Sequence, residues 1–302
     1  VVACGLIAAT TISAAVCHLL LTTTAAQLTP ESENRSSPIR WSLLLLTWLV
    51  VTITALGVLI GPIADDDIAI GFMIFSSMIL AALWTFASAL MAAESDSLTP
   101  RIQRELPGNF MSRLLLTFFT PGPATGLVFA TLALVTLVGT QQFGLSWIAA
   151  DSRIRFSVRD QNLFANFSVA YVCYLILFLN LVRWIVAIVR INNHPRVEVG
   201  AAALVVVAVL TALVPYSIGL HWNDYRPYTW SYWQITNWFW TLGLISESNV
   251  PIGVMPLLIF AAVMAVLFSL ASVGVRALPI RTATPEAVLE ERDRSTSKSK
   301  PT

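Results

Sequence analysis

The chain has 302 residues, of which 56% are hydrophobic and 12% charged, with a formal net charge of +1. A soluble domain carries about 25% charged residues. Together with a mean hydropathy of +0.74, this excludes an ordinary water-soluble globule and gives no basis for nucleic-acid binding.

Cys4, Cys17 and Cys173 all lie inside apolar runs, so no disulfide framework is implied. The first residue is Val, and no basic region with a cleavage site precedes a soluble body. The start therefore reads as that of a fragment, or of an unusual initiation.

Seven apolar runs approach the roughly 20 residues needed to cross a hydrocarbon core. They cover about 1–25, 41–61, 68–93, 123–142, 167–190, 199–220 and 252–275. The runs are continuous rather than alternating, which excludes a β-barrel. Helices are then required, because backbone groups in lipid must be satisfied internally. The expected fold is all-α, a polytopic transmembrane helical bundle of about seven spans within residues 1–280. From Arg281 the chain is polar and mixed in charge, and 281–302 reads as a disordered cytoplasmic tail.

The positive-inside rule sets the orientation. With a cytoplasmic C-terminus, 14 Lys and Arg fall inside, among them Arg35, Arg40, Arg183, Arg190 and Arg196. Only Arg153, Arg155, Arg159 and Arg226 fall outside, 4 of the 18. Seven spans then leave residue 1 outside, in keeping with the loss of an upstream span.

In chain order, the first span holds His18. The turn after the second carries Asp65, Asp66 and Asp67, a solvated turn whose consecutive carboxylates converge poorly on a cation. The inner segment 94–122 reads as two short helical pieces on the membrane surface. Thr99-Pro100 starts the first and Pro107-Gly108 ends it. The second begins near Asn109, with Phe110, Leu114 and Phe118 recurring on one face and Arg113 reaching toward headgroups. Pro121-Gly122-Pro123 re-aims the chain. This segment is either a surface connector or a docking element.

The outer loop 143–166 includes an alternating stretch, Ser152 to Asp160, that predicts a short strand in a solvated hairpin. The outer loop 221–251 is dense in aromatics, including Trp222, Trp230, Trp233, Trp238 and Trp240. It reads as an interfacial belt, with a rim for a ligand as the functional alternative. Its stretch 230–245 is too short to span, so it lies flat or dips in and returns.

Polar groups inside the spans are few. Arg183 is expected to snorkel to the inner end, with Asn180 nearby. No deep Asp, Glu or Lys offers a proton relay, and a lone His18 does not hold haem. No P-loop, zinc motif or nucleophile–base pattern is evident. The expectation is no catalytic site, no metal and no cofactor.

The segments "AAESDSLTPRIQRELP" and "RLLLTFFTPGPATG", with the re-entrant-sized stretch before the last span, resemble the membrane component of bacterial ABC transporters of the ABC-2 permease type. The resemblance is strongest over Ala92–Phe129. It implies a permease subunit of an exporter in the bacterial inner membrane, energised by a separate ATPase subunit and paired as a homo- or heterodimer. It implies that surface helices on the cytoplasmic side receive force from the ATPase, with Arg101, Arg104 and Arg113 as contacts to that partner or to lipid. It further implies outer re-entrant helices, which 229–250 would match. Six spans and an N-terminal entry helix are usual there; this chain offers seven spans and no such helix. The competing class is a non-transporting scaffold or sensor whose outer aromatic loop binds a ligand; an intramembrane enzyme ranks behind both.

Overall fold

A computed structural model describes residues 2–28, 35–60, 66–94, 107–150, 158–191 and 196–276. These residues are mainly helical, with turns between the helices and no strand among them. The helices are α1 (Val2–Leu28), α2 (Ser36–Ile60), α3 (Asp66–Ala92), α4 (Phe110–Thr117), α5 (Pro123–Ala150), α6 (Val158–Val189), α7 (Glu198–Trp222), α8 (Trp238–Ser246) and α9 (Val254–Arg276), with a 3₁₀ turn at Tyr232–Thr236. Seven of them, all but α4 and α8, are long and apolar enough to cross a membrane. Two ends of the bundle are distinct. One carries Arg40, Arg190 and Arg196 and is called the basic end; the other carries the 221–251 loop and is called the aromatic end.

The spans are packed in a graded way. In α5 and α6, 56% of the apolar window is buried, against 6% in α1. The core therefore forms around α5 and α6, with α3, α7 and α9 about them. Trp84, Leu127, Leu134, Leu179 and Val182 are its fully buried side chains. Trp84 places its indole N–H on Thr47 Oγ1 at 3.0 Å, so its polar atom is satisfied without water. At the edge, α1 leans on α2 through His18 Nδ1 and Ser42 Oγ, 3.2 Å apart, and through Thr22 Oγ1, which donates to Ser42 at 3.2 Å.

Several expectations change here. At 1.5 Å per residue α5 and α6 are about 42 and 48 Å long, against a ~30 Å hydrocarbon core. The loop expected at 143–166 is thus largely a continuation of two helices, and Val158 to Asp160 are helical rather than extended. Residues 151–157, the acidic Asp65, and the tail from 281 lie outside the described residues; Asp66 and Asp67 open α3. Asn180 and Arg183 do not serve the lipid boundary. Ser269 Oγ donates to Asn180 Oδ1 at 2.7 Å, and Arg183 Nη2 donates to Ser272 Oγ at 2.7 Å. Both bonds join α6 to α9, which is the cheaper solution for a polar group that has a neighbouring helix within reach.

Close helix contact at the basic end depends on one glycine. A Cβ at Gly200 of α7 would stand 2.2 Å from the Ala89 carbonyl oxygen and 2.7 Å from Ala93 Cβ. Gly139 of α5 faces open space, with nothing within 4 Å. Gly200→Ala is expected to lower the unfolding temperature in detergent by an amount equivalent to about 1–3 kcal/mol, while Gly139→Ala leaves it level or raised. Equal behaviour of the two variants would remove the α3–α7 contact from this account.

Candidate functional site

Two elements stand out from the bundle, one at each end. At the basic end, α4 stops at Thr117 and the chain turns through Phe118–Gly122 into α5. A helix that stops leaves its last carbonyls without intrahelical partners. Here the carbonyls of Leu115, Leu116 and Thr117 are met by the backbone N–H groups of Phe118, Phe119 and Thr120, and the carbonyls of that turn are met in their place from α2. Arg40 Nη1 donates to the carbonyls of Phe118 at 2.5 Å and Thr120 at 2.8 Å, and Ser37 Oγ donates to that of Phe119 at 2.8 Å. From within α5, Thr125 Oγ1 donates to Thr120 O at 2.9 Å.

The Arg40 side chain is fully buried and its charge is paired. Nη2 meets Glu94 Oε2 at 2.5 Å, just past the C-terminus of α3. The guanidinium also lies 5.5 Å from the centre of the Phe129 ring, a cation–π contact. The same Glu94 oxygen accepts from the backbone N–H of Gly122 at 3.0 Å. Gly122 lies between Pro121 and Pro123, so it carries the only N–H of that run. Its φ of +152° is open to glycine and strained for other residues. Gly126, one turn on, lets α5 close in: a Cβ there would lie 2.9 Å from Met91 Cβ and 3.1 Å from Arg40 Nη2.

Arg190 at the end of α6 repeats the device. Its Nη2 donates to the carbonyls of Ala93 at 2.5 Å and Glu94 at 2.6 Å, capping α3. Thus α2, α3, α5 and α6 meet at one buried hub, and α4 hangs from it.

Arg101, Arg104 and Arg113 are the contact residues that the sequence predicts at this end. Arg101 and Arg104 lie outside the described residues. Arg113 is half-buried. At 100° per residue it sits about 160° around α4 from both Met111 and Leu115. Those two and Phe110 are 71%, 66% and 56% exposed. The face of α4 centred on Met111 and Leu115 is therefore apolar and outward, while Arg113 lies on the other side of the helix, about 60° from the exposed Phe110. Arg40 and Glu94, which organise the site, were read only as a charge in the loop count and as part of a motif. Their signal was position: an Arg one turn into a span and a Glu where another span ends.

At the aromatic end the 3₁₀ turn and α8 form a hairpin that returns into the bundle. Tyr174 Oη donates to the Ile235 carbonyl at 2.5 Å, and Trp238 Nε1 donates to the Ala208 carbonyl at 2.8 Å. Ala208 lies 14 residues before Trp222, about 21 Å below the aromatic end of α7. The Trp238 indole thus reaches near the middle of the bundle. Asn237 Oδ1 caps α8 by accepting from Trp240 N at 3.1 Å.

The other aromatics divide into two groups. Tyr228 Oη donates to Tyr216 O at 2.9 Å and accepts from Gln234 Nε2 at 2.7 Å, while the Tyr228 and Trp240 rings meet at 5.3 Å. Gly219 makes room for this, since a Cβ there would lie 2.5 Å from Tyr228 Oη. Trp230 Nε1 donates to Thr241 Oγ1 at 3.3 Å. Trp230, Trp238 and Trp240 are therefore half-buried parts of the hairpin's own packing. Trp222 and Trp233 are exposed, with ring centres 5.3 Å apart, as are Tyr225, Tyr232 and Phe239.

Among the described residues no group of three His, Cys, Asp or Glu side chains is placed to hold a metal ion. Compared with family models, curated proteins and solved structures, the chain matches none.

Arg40→Met leaves Glu94 without its cation and Phe118 O without its side-chain donor, while Thr120 O keeps only Thr125. A loss of about 3–5 kcal/mol in detergent unfolding is expected, and Arg40→Met with Glu94→Met recovers part of it. Arg40→Lys rescues little, because one ammonium does not reproduce the planar fork. At the other end, Tyr174→Phe and Trp238→Phe each remove one neutral bond, about 0.5–1.5 kcal/mol. Faster limited proteolysis within 223–253, with an unchanged pattern near 107–122, is the signature to look for.

Proposed function

We propose that the chain is the permease subunit of an ATP-driven exporter of the ABC-2 type. It sits in the bacterial inner membrane with the basic end and C-terminus in the cytoplasm, and a separate ATPase subunit drives it. The observation that carries this reading is the mounting of α4. An eight-residue surface helix turns an apolar face outward, and the turn that follows it directly, Phe118–Gly122, is bonded to α2 and to Glu94 at the end of α3 and leads into α5. A helix set in this way transmits a push to several spans at once, whereas a loose connector absorbs it.

The partner surface in this reading is the stripe Phe110–Met111–Leu115, with Arg101 and Arg104 contributing from the segment before it. An amphipathic helix laid into a groove of the ATPase is the form of recognition that such a stripe suits. At the far side the hairpin of 232–246 caps the route, and exchange between two packings of the helices moves cargo past it.

A chain carrying Met111→Cys, expressed with the ATPase encoded next to it, tests this. Cross-linking to that ATPase, and ATP hydrolysis that falls when Leu115→Asp is introduced, are the expected results. Isolation of this chain alone, with no neighbouring ATPase gene, would overturn the reading and leave the scaffold or sensor class in its place.

A further inference from the structure

A groove of about 430 Å³ runs along one side of the bundle between α6 and α9, under the tip of the hairpin. Its origin lies in two small residues. Ala261 and Ala265, one turn apart on α9, leave a trough between the larger Leu257 and Phe268. Ile235 and Thr236 of the hairpin roof it at the aromatic end. Trp184 and Phe268, stacked with centres 5.8 Å apart, form its lip toward the basic end.

Depth decides what fills it. Along α6 the groove runs from Tyr174 to Trp184, and Arg190 marks the basic end. At 1.5 Å per residue that is about 15 Å of length, beginning about 9 Å above Arg190. Its mouth residues Leu181, Trp184, Leu257 and Phe268 are 46%, 54%, 46% and 53% exposed, and all lie within candidate spans. The mouth therefore opens sideways into hydrocarbon and not into water.

Chemistry narrows the occupant further. Most of the wall is apolar, and three of its polar side chains are engaged inside the protein. Tyr174 donates to Ile235 O, Thr211 Oγ1 donates to Val207 O at 2.7 Å, and Asn180 is held by Ile176 O and Ser269. With Thr236 at the roof and the Trp184 indole at the lip as its other polar groups, the trough offers an occupant chiefly dispersion contact. A transmembrane helix of a second chain runs the full ~30 Å core, whereas the hairpin closes the groove at Tyr174 and leaves only about 15 Å of it open. A single hydrocarbon tail from one leaflet is about half that thickness and fits the length.

We propose that this groove is a binding site for one acyl tail of a phospholipid from the leaflet at the basic end, with the tail's end under Ile235 and Thr236. The site belongs to this chain alone and stands apart from the ATP-driven reading, so the two fail separately.

The test uses the full chain in phosphatidylcholine vesicles doped with a phosphatidylcholine whose one tail ends in a photoreactive diazirine. Label mapped by peptide mass spectrometry is expected to be several-fold richer on 174–184 and 257–268 than on the equally exposed faces of α1 and α7. Ala261→Phe and Ala265→Phe, which fill the trough, should abolish that enrichment. Val263→Phe, on an exposed face of the same helix, should preserve it. Should the filling variants fail to fold, competition on the native chain decides: labelling that saturates against unlabelled phosphatidylcholine supports the site. Label spread evenly over all exposed faces, or labelling that unlabelled lipid does not displace, means annular lipid only and overturns the proposal.

Discussion

A helix that ends against protein in a membrane leaves carbonyl oxygens that no water can reach. This chain turns sharply past two helix ends, those of α3 and α4, and arginines from other helices meet the carbonyls of both turns. Arg40 reaches Phe118 O and Thr120 O; Arg190 reaches Ala93 O and Glu94 O. Leaving a fully buried acceptor unpaired costs about 1–3 kcal/mol, and a partly buried one less, so the four bonds together form a substantial tie. Arginine suits the task because its planar fork delivers several N–H groups from one charge, where lysine supplies a single point. Burying that charge is itself costly. Glu94 offsets the cost for Arg40, and the ring of Phe129 adds to it.

The rest of the basic end follows from this arrangement. Glu94 must sit at the end of α3 to meet Arg40, and Gly122 must present its N–H to the same oxygen. Between two prolines no other residue has one to give, and no other residue takes φ +152° without strain. Helices must come close for the arginines to reach, which is why Gly126 and Gly200 stand where a methyl group would strike a neighbour's backbone. At the aromatic end the hairpin is held by neutral bonds and ring contacts, each worth about 1 kcal/mol. Local opening is consequently cheaper at the hairpin than at the hub.

Much of this was legible in the sequence, because hydrocarbon imposes a simple rule on length and polarity. The seven spans were readable from continuous apolar runs, and α4 from the spacing of Phe110, Leu114 and Phe118. The overhang of α5 and α6 was not. Residues 158–166 are more polar than the spans, while 143–150 stay apolar beyond the length a span needs; neither polarity nor the length of a span marks where a helix stops. The alternation at Ser152 to Asp160 pointed to a strand, yet Val158 to Asp160 continue a helix already nucleated and packed below them. Arg40 was hidden by the opposite error. Counting it as one more inner cation treated it as solvated, and only the three-dimensional neighbourhood of Glu94 and the 118–120 carbonyls makes burial affordable. Arg183 misled in the same manner, since a snorkelling side chain and one bonded to Ser272 look alike in one dimension.

The distribution of bonds also says which parts of the bundle move together. The hub joins α2, α3, α5 and α6 by charged contacts, and α7 is pressed onto α3 at Gly200. Among the described residues, α9 is tied to α6 by Asn180–Ser269 and Arg183–Ser272 and otherwise packs on α5 and α6. A displacement entering through α4 reaches the hub first and moves its helices as a group. Next in line is α9, which packs closely on α6 and is bonded to it twice, so it follows α6 rather than sliding past it. The stiff hub and the more weakly held hairpin are therefore arranged in series along α6, with Arg190 at one end and the hairpin's Tyr174 bond toward the other.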